Sequence, residues 1–322
     1  MQRFLVLSAC FFAVLASTAI VSVHAQPGRG FIPEIVGKLA AKPLAEVSGM
    51  VKSRSYPGTY WVVNDSGDRA RIFAIDASGK TILPTYSRFS YYGEEKEGSK
   101  KQWEGFRVLF GENRDWEAMT IDDNYLYVAD TGNNFNNRRD LAIYLLSEID
   151  PTASTQSAVI RKLPVAYPEQ DSFPGRGELH YDSEALFAAD GSLYLITKHR
   201  KRSGRGFERG ANLYRLDTNY TERDNLLTLV DSNANMLAVT GAELSPDGQR
   251  LAVITYDALW LFDRPEQGDM WLSSPSRQVP LDTAVMQQVE TVMWDDDQTL
   301  LLTNEQRDLF RISLEDVAAF AQ

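Results

Sequence analysis

The chain has 322 residues, a formal net charge of −11, one cysteine and three histidines. The negative charge argues against nonspecific binding to nucleic acid. So few cysteines and histidines exclude a disulfide framework and argue against a zinc site. The length suits one large all-β domain, and no run beyond the N-terminus is long and apolar enough to span a bilayer.

The N-terminus predicts a signal peptide. Arg3 precedes an apolar run at 4–23, and the small residues around Ala25 fit a cleavage site. We therefore expect a signal peptide at 1–25 and a single domain at 26–322, exported to the periplasm or the medium. The residues before Cys10 resemble a lipoprotein cleavage box, but the apolar run continues well past this cysteine, which favours a soluble exported protein.

A short acidic motif recurs five times, and each copy is followed by an apolar strand. The copies are EVSGM (46–50), DWEAM (115–119), DSEAL (182–186), VTGAEL (239–244) and QVETV (288–292). Repeats of strands at intervals of about 50 to 70 residues are typical of propeller blades. The sequence therefore predicts an all-β, five-bladed β-propeller. A six-bladed ring is the alternative, if the stretch 66–115 holds a degenerate unit.

The predicted elements follow in chain order. A strand within 31–44 supplies the outer strand of the last blade and closes the ring, which removes exposed sheet edges. Blade 1 covers 46–89 and is followed by a charged surface loop at 93–101. The expected strands of blades 2, 3 and 5 are 117–122, 125–130, 141–146 and 158–165; 184–188, 193–197, 212–216 and 226–230; and 290–294, 299–304 and 309–312. Blade 4 has a Ser-Pro-Asp-Gly hairpin turn at 245–248, and a short helix covers 314–322.

Acidic residues fall in register along the innermost strands. Side chains two residues apart share a face of a strand, so the copies can be aligned in rows. One row contains Ser48, Glu117, Glu184 and Glu290, whereas blade 4 places Gly241 there, with Glu243 one pleat deeper. The row nearer the mouth contains Glu46, Asp115, Asp182 and Gln288.

Carboxylates gathered around one axis repel each other unless they are protonated, hydrated or neutralised by a cation. A cage of carboxylate and hydroxyl oxygens suits Ca²⁺. We therefore predict a Ca²⁺ site whose ligands are Ser48, Glu117, Glu184, Glu290 and Glu243. In the alternative, these acids accept backbone N–H groups of neighbouring blades and only hold the strands.

The loop 198–209 carries six Lys or Arg residues in an acidic protein. On the propeller path it lies on the same face as the acidic mouth. Guanidinium groups beside a metal suit phosphate chemistry, so we predict substrate binding by Lys198, His199, Arg200 and Arg209. A solvated loop is the alternative, with His199 exposed and His180 capping a strand.

Taken in order, these motifs resemble calcium-activated nucleotidases of the apyrase type. The resemblance implies a five-bladed propeller with one calcium in the central tunnel and an inner metal shell of Ser48, Glu117, Glu184 and Glu290. The segments Asp65-Ser66-Gly67 and Asp130-Thr131-Gly132 also resemble secreted bacterial propellers of the phytase-like or esterase-like type. Blade 4 departs from the pattern at Gly241.

The sequence therefore predicts a calcium-dependent hydrolase of a small anionic substrate, a nucleotide or phosphate ester, in which Asp65 or Asp130 acts as base. Two alternatives stay open. One is a glycosidase-type or lactonase-type propeller, and the other is a non-enzymatic binding or scaffold propeller with a structural metal. The absence of G-x-S-x-G argues against a serine hydrolase. We expect a monomer.

Overall fold

The computed structural model describes residues 30–93, 98, 100–123 and 125–320. The predicted signal peptide and its cleavage site lie outside these residues. No helix in the described part of the chain is long and apolar enough to cross a membrane.

The first part of the chain supplies a separate strand, one radial sheet and a set of short connecting elements. These are β1 (Glu34–Lys38), β2 (Val47–Lys52), β3 (Tyr60–Asn64), β4 (Arg71–Ile75), β5 (Thr81–Ile82), a 3₁₀ turn (Thr85–Phe89), β6 (Tyr91–Tyr92), β7 (Lys101–Gln102) and β8 (Phe106–Leu109).

The next two sheets each have four antiparallel strands. One short extra strand comes just before the last strand of the second of these sheets in the sequence. The strands are β9 (Trp116–Asp122), β10 (Tyr125–Asp130), β11 (Ala142–Ser147) and β12 (Gln156–Ala166), then β13 (Ser183–Ala189), β14 (Ser192–Thr197), β15 (Arg209–Leu216), β16 (Asn225–Leu226) and β17 (Thr228–Leu237).

The C-terminal part supplies the last two sheets and two short helices. They are β18 (Val239–Leu244), β19 (Arg250–Thr255), β20 (Ala258–Asp263), a 3₁₀ turn (Trp271–Ser273), β21 (Ser276–Pro280), α1 (Thr283–Met286), β22 (Val289–Asp296), β23 (Thr299–Asn304), β24 (Asp308–Ser313) and α2 (Leu314–Phe320).

Among the described residues, five innermost strands form a closed ring. β2 packs beside β9, β9 beside β13, β13 beside β18, β18 beside β22, and β22 returns to β2. Each ring strand begins a sheet that runs outward from the axis. The fold is a β-propeller. The predicted all-β propeller class is therefore confirmed. The only strands in the described part of 66–115 are the short strands β4 to β8, and none of them belongs to the ring of innermost strands.

The N-terminal strand closes the ring as predicted. β1 pairs antiparallel with β24, Glu34 opposite Arg311 and Lys38 opposite Asp308, so the last sheet takes its outer strand from the start of the chain. This clasp removes the free edge of β24. A second link joins the first two sheets, because β8 pairs with β4 on one side and with β12 on the other.

The core lies between neighbouring sheets rather than in one centre. Trp61 and Trp116 share a buried cluster between the first two sheets, and Trp260 and Trp271 share one between the third and fourth. These indoles have at most 4% of their surface exposed. Burial of such large rings stabilises the contacts between blades and leaves the mouth of the tunnel free for polar side chains.

Candidate active site at the mouth of the tunnel

Every ring strand carries a β-bulge at the same place. Where each strand pairs with the second strand of its sheet, the register slips by one residue near the start of the ring strand. A bulge leaves one residue unpaired and re-aims its side chain. The unpaired residues are Ser48, Glu117, Glu184, Thr240 and Glu290. We call these five residues the bulge ring.

The bulge ring corrects the alignment of blade 4. The aligned repeats predict Gly241 in this row. The β-bulge lies between Val239 and Gly241, however, so Thr240 is the equivalent residue. Glu243 does not join the ring. Its carboxylate accepts the backbone N–H of Trp294 at 2.6 Å, which is the contact expected of an acid that only holds the strand of a neighbouring blade. Burial raises the pKa of Glu243 to about 8.

The two hydroxyls of the bulge ring bond to the next blade. Ser48 donates to the carbonyl of Trp116 at 2.5 Å, and Thr240 donates to the carbonyl of Val289 at 2.8 Å. Each acceptor is the residue directly before a bulged glutamate. The hydroxyls therefore hold the neighbouring bulges in place, while the side chains of the three glutamates line the cavity.

A second set of side chains lies directly after the second strand of each sheet. Its members are Asp65, Thr131, Lys198, Tyr256 and Glu305, which we call the strand-end ring. In four blades the backbone N–H of this residue donates to the carbonyl two residues before the bulge. The acceptors are Glu46, Asp182, Ala238 and Gln288.

Eight of these ten residues line one cavity of about 220 Å³ at the mouth of the tunnel, all but Thr131 and Thr240. The repeats in the sequence predict the bulge ring except Thr240, but they do not predict Tyr256, Glu305 and Phe207 at the site. The first two were visible in the same repeat, because Asp65, Lys198, Tyr256 and Glu305 all follow the apolar run of a second strand. The charged groups around the cavity are Glu46, Asp65, Asp115, Glu117, Glu184, Glu290, Glu305, Lys198 and Arg200.

Lys198 is the cation at the centre of this acidic cavity. It is only 3% exposed, forms an ion pair with Glu184 and donates to the hydroxyl of Tyr256 at 3.2 Å. Its ammonium also faces the rings of Phe207 and Tyr256 at 5.0 and 4.8 Å. Burial alone would lower the pKa of Lys198, but Glu184 raises it above its usual range, so the ammonium stays charged.

Arg200 is also neutralised inside the protein. Its Nε donates to Asp182 at 2.7 Å and its Nη2 lies 3.4 Å from Glu184. Asp182 is fully buried and accepts the backbone N–H of Asn133 at 2.7 Å as well. The predicted phosphate-binding pair Lys198 and Arg200 thus lies at the cavity, but both cations are bound by carboxylates of the third blade.

Several carboxyl groups of the cavity hold protons more tightly than usual. Burial, followed by repulsion from Glu184, raises the pKa of Glu117 well above its ordinary value. Burial also raises the pKa of Glu184 to about 7 and that of Glu290 to about 8, although Lys198 opposes the shift of both. For Asp65, burial and then Glu46 raise the pKa to about 7.

Gly132 allows two carboxyls to approach each other. A Cβ atom at this position would lie 2.2 Å from Asp115 Oδ2 and 2.5 Å from Glu117 Oε1. Only glycine fits such contacts. The D-T-G segment of the second blade therefore serves close packing of Asp115 and Glu117.

Asp130, the other candidate base, does not line the cavity. It is 1% exposed, pairs with Arg138 at 2.9 Å and accepts the backbone N–H of Asp115 at 3.0 Å. Its equivalent in the first blade is Asn64, the last residue of β3, and not Asp65. Of the two candidates, the structure brings only Asp65 to the cavity.

Two predicted substrate-binding residues also lie elsewhere. His199 is not an exposed loop residue. It is buried, stacks on His180 at 3.7 Å and lies 3.1 Å from Thr197 Oγ1, and burial lowers its pKa to about 3. Arg209 bonds to the carbonyl of Asn235 and pairs with Asp257 at 3.2 Å, outside the cavity lining.

The predicted calcium ligands do not form a metal cage as they are placed. Across the described part of the chain, no three His, Cys, Asp or Glu side chains are arranged to hold one ion together. Ser48 donates its hydroxyl proton to a carbonyl, Glu184 binds Lys198, and Glu290 accepts the hydroxyl of Tyr256 at 3.0 Å. The ammonium of Lys198 places one positive charge among these acids, and the Ca²⁺ site stays a prediction.

Comparisons with known proteins identify no family. No protein-family model and no curated protein sequence matches the chain. Solved structures do match at low identity. A PQQ-bound aldose sugar dehydrogenase from Streptomyces coelicolor is 12% identical, with 90% of this chain and 99% of that chain covered and a TM-score of 0.46.

Two further structures match at a similar level. A luciferin-regenerating enzyme is 13% identical (88% and 76% covered, TM-score 0.46), and a glutaminyl cyclase from Myxococcus xanthus is 11% identical (89% and 94% covered, TM-score 0.43). Likenesses this low say nothing about the activity of this chain. None of the three is named as a nucleotidase or a phytase, so the apyrase-type resemblance stays a prediction from the motifs.

Proposed function

We propose that the protein is a hydrolase that uses carboxyl groups at the tunnel mouth as general acid and base. One observation carries the proposal: seven carboxyls line the cavity with only two cations, and both cations are already paired with carboxylates. Apart from neutral polar side chains such as Tyr256, the groups left to meet a substrate are carboxyl oxygens, and burial raises the pKa of Asp65 to about 7 and that of Glu290 to about 8. Such groups exchange protons at physiological pH.

Asp65 and Glu117 suit the two roles. Asp65 is half-buried at the mouth and has a pKa of about 7, so a fraction is ionised at neutral pH and can take a proton from water. Glu117 is buried with a pKa raised well above its usual value, so it holds a proton more firmly than an exposed glutamate and suits the role of donor to a leaving group. Both line the same cavity from neighbouring blades.

The charge of the cavity favours an uncharged substrate. An anion would meet an excess of carboxyls, and Lys198 and Arg200 could bind it only by giving up Glu184 and Asp182. Hydrolysis of an ester, a lactone or a glycosidic bond is therefore the favoured class, and water and two carboxyls suffice for it.

The calcium-dependent phosphate hydrolase predicted from the sequence is the second candidate. Asp115 and Glu117 meet at Gly132, and this favours cation binding. As placed, however, the acids form no ligand set, so we derive no step through a metal. A bound Ca²⁺ would supply the charge that a phosphate substrate requires.

The test is a hydrolysis assay with chromogenic esters, lactones, glycosides and phosphate esters, each with Ca²⁺ and with chelator. We expect turnover of an uncharged substrate in chelator, with kcat/KM rising as pH passes about 7. Asp65→Asn and Glu117→Gln should each lower kcat by roughly 10²- to 10⁴-fold.

Asp224→Asn is the matched control, since this carboxyl is exposed and outside the cavity. Full activity of Asp65→Asn would refute the assigned base. Turnover of phosphate esters only, and only with Ca²⁺, would support the second candidate instead. A silent panel with folded protein would favour the non-enzymatic alternative.

A further inference from the structure

A second cavity lies away from the tunnel, at the outer junction of the first two blades. It measures about 280 Å³ and shares no lining residue with the mouth. β4 and β8 contribute one residue each, and most of the wall comes from the segment 103–105 between β7 and β8 and from residues beside β4, in the first 3₁₀ turn, in β6 and before β12. The residues that matter for binding are Arg69, Arg71, Arg107, Tyr91, Trp103 and Glu104.

Two arginines face each other across the strands of this wall. Arg71 of β4 is the direct partner of Arg107 of β8 in the antiparallel ladder. Like charges in such positions destabilise a sheet. Arg71 is neutralised by Asp68 at 2.7 Å, and Arg69 pairs with Glu104. Arg107, which is exposed, has no ion pair with any described residue.

A buried donor adjoins these charges. Trp103 lines the cavity and is 6% exposed, and its indole N–H has no acceptor among the described residues. Buried polar groups are normally paired, so the environment of this indole is unusual, and its N–H is a sensitive reporter of changes in the cavity that its ring lines. Tyr91 packs edge-on against Trp103 with ring centroids 5.4 Å apart, which gives the cavity an aromatic wall.

We propose that this cavity binds a small planar organic anion. Its carboxylate or phosphate group would pair with Arg107 and offset the repulsion between Arg107 and Arg71, since guanidinium groups bind such groups through two parallel hydrogen bonds. Its flat part would pack against the rings of Tyr91 and Trp103. Asp68 and Glu104 pair with two of the three guanidinium groups, so Arg107, which has no ion pair among the described residues, leaves a net positive charge that selects anions in a protein that is otherwise strongly acidic.

The indole N–H allows a direct test by NMR. The full chain has six tryptophans, hence few indole N–H signals in a ¹H–¹⁵N spectrum, and Trp103→Phe assigns the one of interest. Benzoate, phenyl phosphate, inorganic phosphate and benzyl alcohol would be titrated in turn. We expect benzoate or phenyl phosphate to move the Trp103 signal, and benzyl alcohol to leave it unchanged. A shift with phenyl phosphate alone would assign the anionic group as phosphate, and one with benzoate alone as carboxylate.

Arg107→Gln should weaken the binding about ten-fold or more, since it removes a charged hydrogen-bond donor. Arg277→Gln, an exposed arginine outside this cavity, is the matched control and should bind normally. An unmoved Trp103 signal with both aromatic anions would overturn the proposal. Equal affinity of Arg107→Gln and the unmodified protein, or equal shifts with benzyl alcohol, would also overturn it.

Discussion

Lys198→Met is predicted to destabilise the protein in a pH-dependent way. The substitution keeps the length and apolar stem of the side chain but removes the ammonium that pairs with Glu184 and contacts Tyr256. Glu184 would then keep only the longer contact to Arg200 at 3.4 Å, and Glu290 would be buried without a cation. Loss of one partner of a buried ion pair costs about 3–5 kcal/mol, and we expect this loss at pH 8.

At pH 5 the loss should be much smaller. Glu184 and Glu290 already have pKa values of about 7 and 8 with Lys198 present, so without it they take up protons readily. Protonated acids need no counterion, and the remaining cost is the lost hydrogen bond and packing, about 1–2 kcal/mol. The variant should therefore regain most of its stability on acidification.

The measurement is urea unfolding followed by tryptophan fluorescence at both pH values. For a domain of this size 1 kcal/mol corresponds to roughly 2 °C in Tm, so the loss at pH 8 should be roughly 6–10 °C by calorimetry. The double variant Lys198→Met/Glu184→Gln should recover stability at pH 8, because it removes the unpaired charge as well. Equal losses at pH 5 and pH 8, or no recovery in the double variant, would refute the argument that Lys198 neutralises these acids.

Three further predictions concern the same mouth. The unmodified protein should lose stability as the pH rises from about 5 to about 8. The pKa values of Glu184 and Glu290 are raised in the folded state, so in this range the folded protein binds protons that the unfolded chain has released, and the resulting stabilisation is lost above the folded pKa. Urea midpoints that rise with pH over this range would contradict the prediction. Removal of Ca²⁺ with a chelator should leave the Tm unchanged, since Lys198 already supplies the central charge; a clear fall in Tm, reversed by Ca²⁺ but not by Mg²⁺, would restore the predicted metal site. Gly132→Ala should destabilise the fold by about 1–3 kcal/mol, because its methyl group would overlap the carboxyls of Asp115 and Glu117. Gly177→Ala is the control in the same unfolding assay, since the methyl group added there meets no other atom.

The sequence predicted the fold well because its signals were local and repeated. The acidic motif, the apolar second strand and the turns recur in every blade, and the strands 125–130 and 299–304 have the observed bounds. The site was predicted only in part. A β-bulge shifts the register by one residue without any mark in the sequence, so Gly241 was aligned where Thr240 lies.

The cations were harder to place than the acids. From sequence, Lys198, His199, Arg200 and Arg209 read as one basic loop, but the tertiary structure separates them. Lys198 and Arg200 point to the acids of the third blade, whereas His199 packs inward on His180. Alternating directions of side chains along an extended segment explain this division.

The bulge shared by the five inner strands separates strand pairing from the placement of side chains at the tunnel mouth. A bulged residue takes no part in the ladder to the second strand, and a strand-end residue lies just beyond the ladder. Side chains at these ten positions can therefore be exchanged at little cost to strand pairing. Eight of the ten positions line the cavity, all but Thr131 and Thr240, so a designer could alter its charge and chemistry blade by blade while leaving the pairing of the strands unchanged.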